Sequence, residues 1–259
     1  MRFSIITICW NNLPGLKRTY DSLRMQNEKD YEWLVIDGAS TDGTKEFLEE
    51  LDDPYLKYIS EPDKGLYDAM NKGIDMAGGD YLVFMNSGDL FHAKDTLQIV
   101  SEAIDKHDQP LFIYGDSLDY DHSGNKHYRK ARHHKKLYRG MFTQHQSMIF
   151  ARLPREKQIK YDIRFKLSAD YQFIIRYLNL AKKAQNKIVR LYVPLCEFEL
   201  GGLNETRRFQ AMKEDFSIRK SDLKMNFLSN NILYIAHYLH THFKIRFPNA
   251  MKRIRYSKK

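Results

Sequence analysis

The sequence predicts an α/β fold built on a mostly parallel sheet flanked by helices, and three observations predict it. Short β-rich runs alternate with amphipathic helical stretches through the first 116 residues, the pattern of strand-helix-strand units. Capping residues and glycines punctuate that alternation. With 42% hydrophobic side chains over 259 residues, the chain can also bury one full-sized core. Strands are expected at Phe3–Cys9, Trp33–Ile36, Leu56–Ser60, Tyr81–Met85 and Leu111–Tyr114, where β-branched and aromatic residues cluster. Helices are expected at Leu13–Met25, Thr44–Leu51, Leu66–Ala77 and Asp95–His107. Thr41-Asp42-Gly43-Thr44 opens the second helix with capping residues, and Gly78-Gly79 closes the third with residues that tolerate positive φ. From Ser117 to Gly140 a polar, basic segment reads as a loop with a short helix that interrupts the sheet. Strand character resumes over Ser147–Leu153, a helix is expected over Ala169–Ala181, and Ile188–Phe198 reads as one or two strands. Helices over Asn204–Lys220 and Phe227–Phe243 and a basic tail complete the chain, so its organisation is a main domain over 1–203 and a helical, basic extension over 204–259.

The formal net charge of +9 is local. Lys126–Arg139 holds seven Lys/Arg and no acid, and Asn226–Lys259 holds another seven and no acid, so the rest of the chain is net acidic. Neither basic segment carries a helix-turn-helix, RRM or zinc pattern, which argues against nucleic-acid binding. His122, His127, His133 and His134 match no metal-ligand spacing and lie among cations. Cys9 and Cys196 sit in apolar, strand-like contexts and read as buried thiols in a reducing compartment. No run of about 18 apolar residues predicts a membrane span, and the N-terminus has no signal-peptide pattern.

In open α/β sheets, ligands bind beyond the carboxyl ends of the strands. Here the first strand is followed by Trp10-Asn11-Asn12, the second by a segment from Asp37 to Asp42, the third by Glu61-Pro62-Asp63-Lys64-Gly65, and the fourth by Asn86-Ser87-Gly88-Asp89. Four strands thus deliver polar or acidic clusters to one edge. Neither glycine-rich phosphate cradle, GxGxxG or GxxxxGK[ST], is present. Phosphate bound through carboxylates needs a bridging cation, and hard oxygen ligands favour Mg²⁺ or Mn²⁺.

These segments carry a family resemblance. SIITICWNN, VIDGASTDGT, SEPDKGLYDAMNKGI, YLVFMNSGDLF, QHQSMIF, LSADYQFIIR and FELGGLN occur in the order found in the inverting, metal-dependent family-2 glycosyltransferases of the GT-A fold, over roughly residues 3 to 204. The wording of SEPDKGLYDAMNKGI and NSGDLF is similar to the bacterial exopolysaccharide branch of colanic acid type. The resemblance implies transfer of a sugar from a nucleotide-diphospho-sugar, UDP- or GDP-linked, to a glycan or polyprenyl-linked acceptor. Asn11, Asp37, Asp63, Lys64, Asn86, Ser87, Gly88 and Asp89 would form the nucleotide-sugar site. Asp37 would accept hydrogen bonds from the N–H edge of uracil or guanine, which suits an acceptor-only carboxylate. Asp89 matches the last acid of the metal-binding DxD motif, and Asn86 and Gly88 stand where many relatives have aspartates. Asp170 matches the catalytic base that takes the acceptor's proton.

His145, Gly201, Gly202, Asn204 and Arg207 would contact acceptor or diphosphate, with the adjacent glycines forming a lid. Asp42, Asp68, Asn71 and Arg208 suit capping or a solvated helix face as well as a site. The apolar, aromatic helix from Ile232 to Leu239, followed by basic residues, suits either a core-packed helix or an anionic membrane surface on the cytoplasmic face. Two other readings remain open at this point: a degenerate transferase fold kept for binding, and a basic nucleic-acid-binding protein.

Overall fold

The computed structural model describes residues 1–120, 124–200 and 207–247. Its elements run β1 (Phe3–Cys9), α1 (Leu13–Arg24), β2 (Tyr31–Asp37), α2 (Thr44–Glu50), β3 (Leu56–Ser60), α3 (Leu66–Met76), β4 (Tyr81–Phe84), β5 (Leu90–Phe91), α4 (Thr96–Lys106), β6 (Phe112–Tyr120), β7 (Lys126–Arg129), β8 (Met148–Ala151), α5 (Ala169–Lys183), β9 (Ile188–Glu199), α6 (Arg208–Ser221) and α7 (Phe227–Arg246). Short 3₁₀ turns lie at His134–Arg139, His145–Ser147 and Arg155–Lys157. The sheet order is β3-β2-β1-β4-β8-β6-β9-β5, with β7 paired to β6. The β3-β2-β1-β4 half is parallel; beyond it β8 pairs antiparallel with β4 and β6, and β6 and β9 are parallel to each other. The sheet is therefore mixed.

Alternation along β1 explains the two cores. Phe3, Ile5 and Cys9 face one side with Leu16, Leu23, Leu97 and Val100 of α1 and α4. Ile6 and Ile8 face the other with Met70 and Ile74 of α3 and Phe173 and Ile174 of α5. Both cysteines are free and buried, as their contexts predict.

Two expectations need correction. The segment from Ser117 to Gly140 extends the sheet instead of interrupting it: β6 continues to Tyr120 and β7 pairs back on it, Ser117 opposite Arg129. Its polar pattern conceals a hairpin because one face is solvated. Gly78 and Gly79 are also not at positive φ. Gly79 is required by close approach, since a Cβ there would lie 2.7 Å from the Phe3 carbonyl carbon.

Candidate functional site

The loops after β1, β2 and β4 are stitched together by side chains. Asn11, at φ +48, donates its backbone N–H to Ser40 Oγ (2.7 Å), and its Oδ1 accepts from Thr41 N (2.8 Å). Asn12 caps α1 by accepting from Gly15 N (3.2 Å) and donates to the Ser87 carbonyl (3.1 Å), while Ser87 Oγ donates back to Asn12 O (2.9 Å). Asp42 accepts from Leu13 N, Thr44 N and Thr44 Oγ1, so its carboxylate is a cap for two elements. Asp37 is fully buried; its carboxylate accepts from Ser60 Oγ (2.6 Å) and from the Ser40 hydroxyl and N–H.

Gly38 forms the floor beside it. A Cβ there would lie 2.7 Å from Asp63 Oδ2 and 3.4 Å from Trp10 Cδ1. Only glycine lets Trp10, which is 70% exposed, and Asp63 approach this close. Asp63 Oδ1 accepts from Gly65 N (2.7 Å), which leaves Oδ2 facing that floor. Lys64 is exposed and its backbone N–H donates to Asp68 Oδ2 (2.9 Å).

The turn after β4 holds the acid-amide pair. Thr19 of α1 pins it, donating to the Asp89 carbonyl (2.8 Å) and accepting from Gly88 N (2.9 Å), and Gly88 sits at φ +103, a conformation that favours glycine. Asp89 accepts from Gln146 Nε2 (2.7 Å), and burial pushes its carboxyl up to about 7, with the nearby Glu199 adding to the shift. Asn86 Oδ1 is buried without a hydrogen-bond partner. The Asn86 amide oxygen and the Asp89 carboxyl in its ionised form are both hard oxygen donors on this turn, the ligand type that a small divalent cation takes. Among the described residues no three His, Cys, Asp or Glu side chains converge, so Mg²⁺ or Mn²⁺ here would take its remaining ligands from substrate phosphates and water.

Asp170 lies in the first turn of α5. Its Oδ1 accepts from Tyr67 OH (3.3 Å) and Tyr171 N (2.8 Å), and burial, with a contribution from Asp215, pushes the carboxyl up to about 6. Tyr67 stacks on Tyr161 with ring centroids 5.5 Å apart. Tyr161 OH meets His145 Nε2 at 2.9 Å, and burial lowers His145 to about 3, so it is neutral. His145 thus sits behind Tyr161, ringed by Phe84, Phe150 and Phe173, without an exposed face toward the edge. Asn71 brackets the Tyr161 backbone with two hydrogen bonds of 2.8 and 2.9 Å.

From α6, Glu214 accepts from three successive backbone N–H groups, Lys166 (3.1 Å), Leu167 (2.9 Å) and Ser168 (3.0 Å), and so fixes the entry to α5. Removing it strands three donors. Glu214→Ala is therefore expected to destabilise the fold by about 1–3 kcal/mol in chemical denaturation, with Glu214→Gln recovering part of the loss. An unchanged midpoint would mean that water replaces the clamp without cost.

The family model described as Glycosyl transferase family 2 matches residues 4–165. The chain belongs to glycosyl transferase family 2. It is 33% identical over 225 residues to an uncharacterized glycosyltransferase of Mycobacterium tuberculosis, covering 85% of this chain and 83% of that one. It is 30% identical over 211 residues to a PGL/p-HBAD biosynthesis glycosyltransferase of Mycobacterium bovis, covering 79% of each. In structure it is similar to Staphylococcus aureus TarS 1-349 in complex with UDP-GlcNAc, with TM-score 0.66 and 18% identity over 94% of this chain and 73% of that one. It is also similar to the mannosyltransferase PcManGT of Pyrobaculum calidifontis in complex with GDP-Man and Mn²⁺, with TM-score 0.66 and 17% identity over 92% and 70%. These likenesses bear out the GT-A-like α/β fold.

Within this family-2 enzyme, the edge of β1, β2 and β4 gathers Asn11, Asp37, Asp63, Ser87 and Gly88 through the contacts above. Arg207 is exposed and precedes α6, and Arg208 donates to Thr241 Oγ1 (3.3 Å). Gly201, Gly202, Asn204 and His122 lie outside the described residues. In the basic segment, Lys126 pairs with Glu197 (2.9 Å) and Arg129 with Asp119 (3.5 Å), so part of its charge is internally matched. Sequence reasoning put Tyr67 on one helix face with Asp68 and Asn71 but gave it no role, and it passed over Trp10, Gln146, Glu199 and Glu214 as site residues. Trp10 and Gln146 sit inside quoted motifs beside residues that were singled out. Glu214 has no local signal, because its partners lie 46 to 48 residues away.

Proposed function

We propose that this chain is an inverting glycosyltransferase that moves a sugar from a UDP- or GDP-linked donor to a glycan acceptor, polyprenyl-linked, in the building of a bacterial surface polysaccharide on the cytoplasmic side of the membrane. The observation that carries the donor reading is the orphaned Asn86 Oδ1 on the turn that leads to Asp89, together with the exposed Trp10 and the Asp63 carboxylate gathered over Gly38. The UDP-GlcNAc of the TarS complex and the GDP-Man and Mn²⁺ of the mannosyltransferase complex support a nucleotide-diphospho-sugar and a divalent cation here as well. The resemblance to the exopolysaccharide branch supports the acceptor class.

In this reading Trp10 stacks on the nucleobase and Asp63 Oδ2 accepts from its N–H edge. Asp37, with its oxygens already engaged by Ser40 and Ser60, holds the loop that shapes the pocket. Asn86 and Asp89 would hold Mg²⁺ or Mn²⁺, which would offset the charge of the leaving diphosphate. Lys64, whose ammonium makes no ion pair among the described residues, adds a cation near the phosphates. Asp170 takes the acceptor hydroxyl's proton as that oxygen bonds to the anomeric carbon, and the bond from that carbon to the diphosphate breaks on the opposite side. Tyr67 orients Asp170, and His145 supports the aromatic wall behind both.

Thermal unfolding with UDP, GDP, CDP and dTDP, with and without Mn²⁺, tests the donor site. One nucleotide at about 100 times its dissociation constant should stabilise by about 2.7 kcal/mol, a rise of several degrees, only with the metal. No shift with any nucleotide would favour a degenerate binding fold. Trp10→Ala should weaken the responding nucleotide by about 1–3 kcal/mol, or about five- to 150-fold in Kd by titration, without altering the unliganded midpoint. Unchanged affinity would remove Trp10 from the nucleobase contact.

A further inference from the structure

We propose that the outer face of α7 is a docking surface for an anionic lipid bilayer. One face of α7 is occupied by α6: Arg219 Nε donates to Asn230 Oδ1 (2.8 Å), Asn230 Nδ2 to the Phe216 carbonyl (2.9 Å), and Tyr234 meets Phe216 edge-on at 5.7 Å. Arg208 reaches Thr241 on the same face. The opposite face carries Leu228, Ile232, Ile235, Leu239 and Phe243, spaced three or four residues apart and 45% to 69% exposed. At 1.5 Å per residue this stripe runs for about 22 Å, an uninterrupted apolar ridge that a soluble monomer does not ordinarily leave in water.

Charge identifies the occupant. From Asn226 to the C-terminus the sequence has seven Lys/Arg and no Asp or Glu. A second copy meeting this stripe about a two-fold axis would bring two acid-free, basic segments together, with nothing on either α7 to offset them. A bilayer with anionic headgroups answers both features, because an apolar ridge favours the acyl boundary and a basic sequence favours anionic headgroups. Among the described residues no helix is long and apolar enough to cross a membrane, which agrees with a helix lying in the interface. The inference is independent of the donor and of Asp170, so it stands or falls apart from the proposed reaction.

The test is sedimentation of the full chain with sucrose-loaded vesicles of phosphatidylcholine alone, and of phosphatidylcholine with about one-third phosphatidylglycerol. It is run at low and high salt, for the wild type and the double variant Ile235→Glu/Leu239→Glu. Both positions face solvent, so the variant should keep its circular dichroism and unfolding midpoint. The expected result is binding to the anionic vesicles, at least about tenfold weaker on neutral vesicles and in high salt, and lost by about tenfold or more in the folded double variant. Absence of binding to anionic vesicles, or equal binding by the double variant, overturns the proposal. So does a wild-type dimer in sedimentation velocity that the double variant dissociates, since the stripe would then join two copies of this chain.

Discussion

Replacing Asp170 by Asn is expected to lower sugar transfer by about 10²–10⁴-fold while leaving donor affinity unchanged. The amide keeps the shape of the carboxyl and its place in the first turn of α5, but it cannot take the acceptor's proton. The same placement sets a pH dependence. Burial raises Asp170 from 3.8 to about 6, and the base acts only when deprotonated, so kcat/KM should carry an acid limb at that value, where protonation of the base alone costs about tenfold per pH unit. Tyr67 separates this titration from any other on the edge. Its hydroxyl donates to Asp170 and favours the charged form, so Tyr67→Phe should move the acid limb upward by about 0.5 to 1 pH unit. A profile unmoved by Tyr67→Phe, or turnover that survives in Asp170→Asn, would remove Asp170 from its role.

Asp89→Asn should act in opposite directions on function and stability. In the proposed reading Asp89, the sole carboxylate of the Asn86-Ser87-Gly88-Asp89 turn, would be the charged group that holds the cation. Its loss should weaken Mn²⁺-dependent nucleotide binding by at least about 100-fold, measured by titration. The unfolded carboxyl titrates near 3.8 and the folded one near 7, so the folded state binds more protons between those values. Stability therefore falls as pH rises through that window, because the fold disfavours the ionised form. A neutral amide escapes this cost, so the variant should unfold several degrees higher than the wild type at pH 7.5, a difference that shrinks toward pH 4. Metal-dependent binding equal to wild type in Asp89→Asn would contradict the assignment.

Much of the fold was legible because strand and helix periods differ. The run from Phe3 to Cys9 is β1 to the residue, and Leu13, Thr44 and Leu66 begin helices where amphipathic spacing starts. What escaped was set by long-range pairing. β5 is two residues long and exists only as the partner of Cys196 and Glu197, while β7 reads as a charged loop until β6 is beside it. At the site, residue types were legible but their surroundings were not. Asp37 and Asp63 looked alike in sequence, yet one is buried under two serines and the other lies over Gly38 beside Trp10. His145 had the chemistry of a contact residue, but the aromatic rings around it come from four separate segments.

The most direct measurement of the central claim is the anomeric configuration of the first sugar released. The donor selected by the nucleotide series, added with Mn²⁺ and without acceptor, would be followed by proton NMR as water slowly takes the acceptor's place. Attack opposite the leaving diphosphate, with Asp170 accepting the proton, predicts that an α-linked donor first yields the β anomer and that Asp170→Asn releases none above background. First release of the α anomer would contradict a single displacement at this edge.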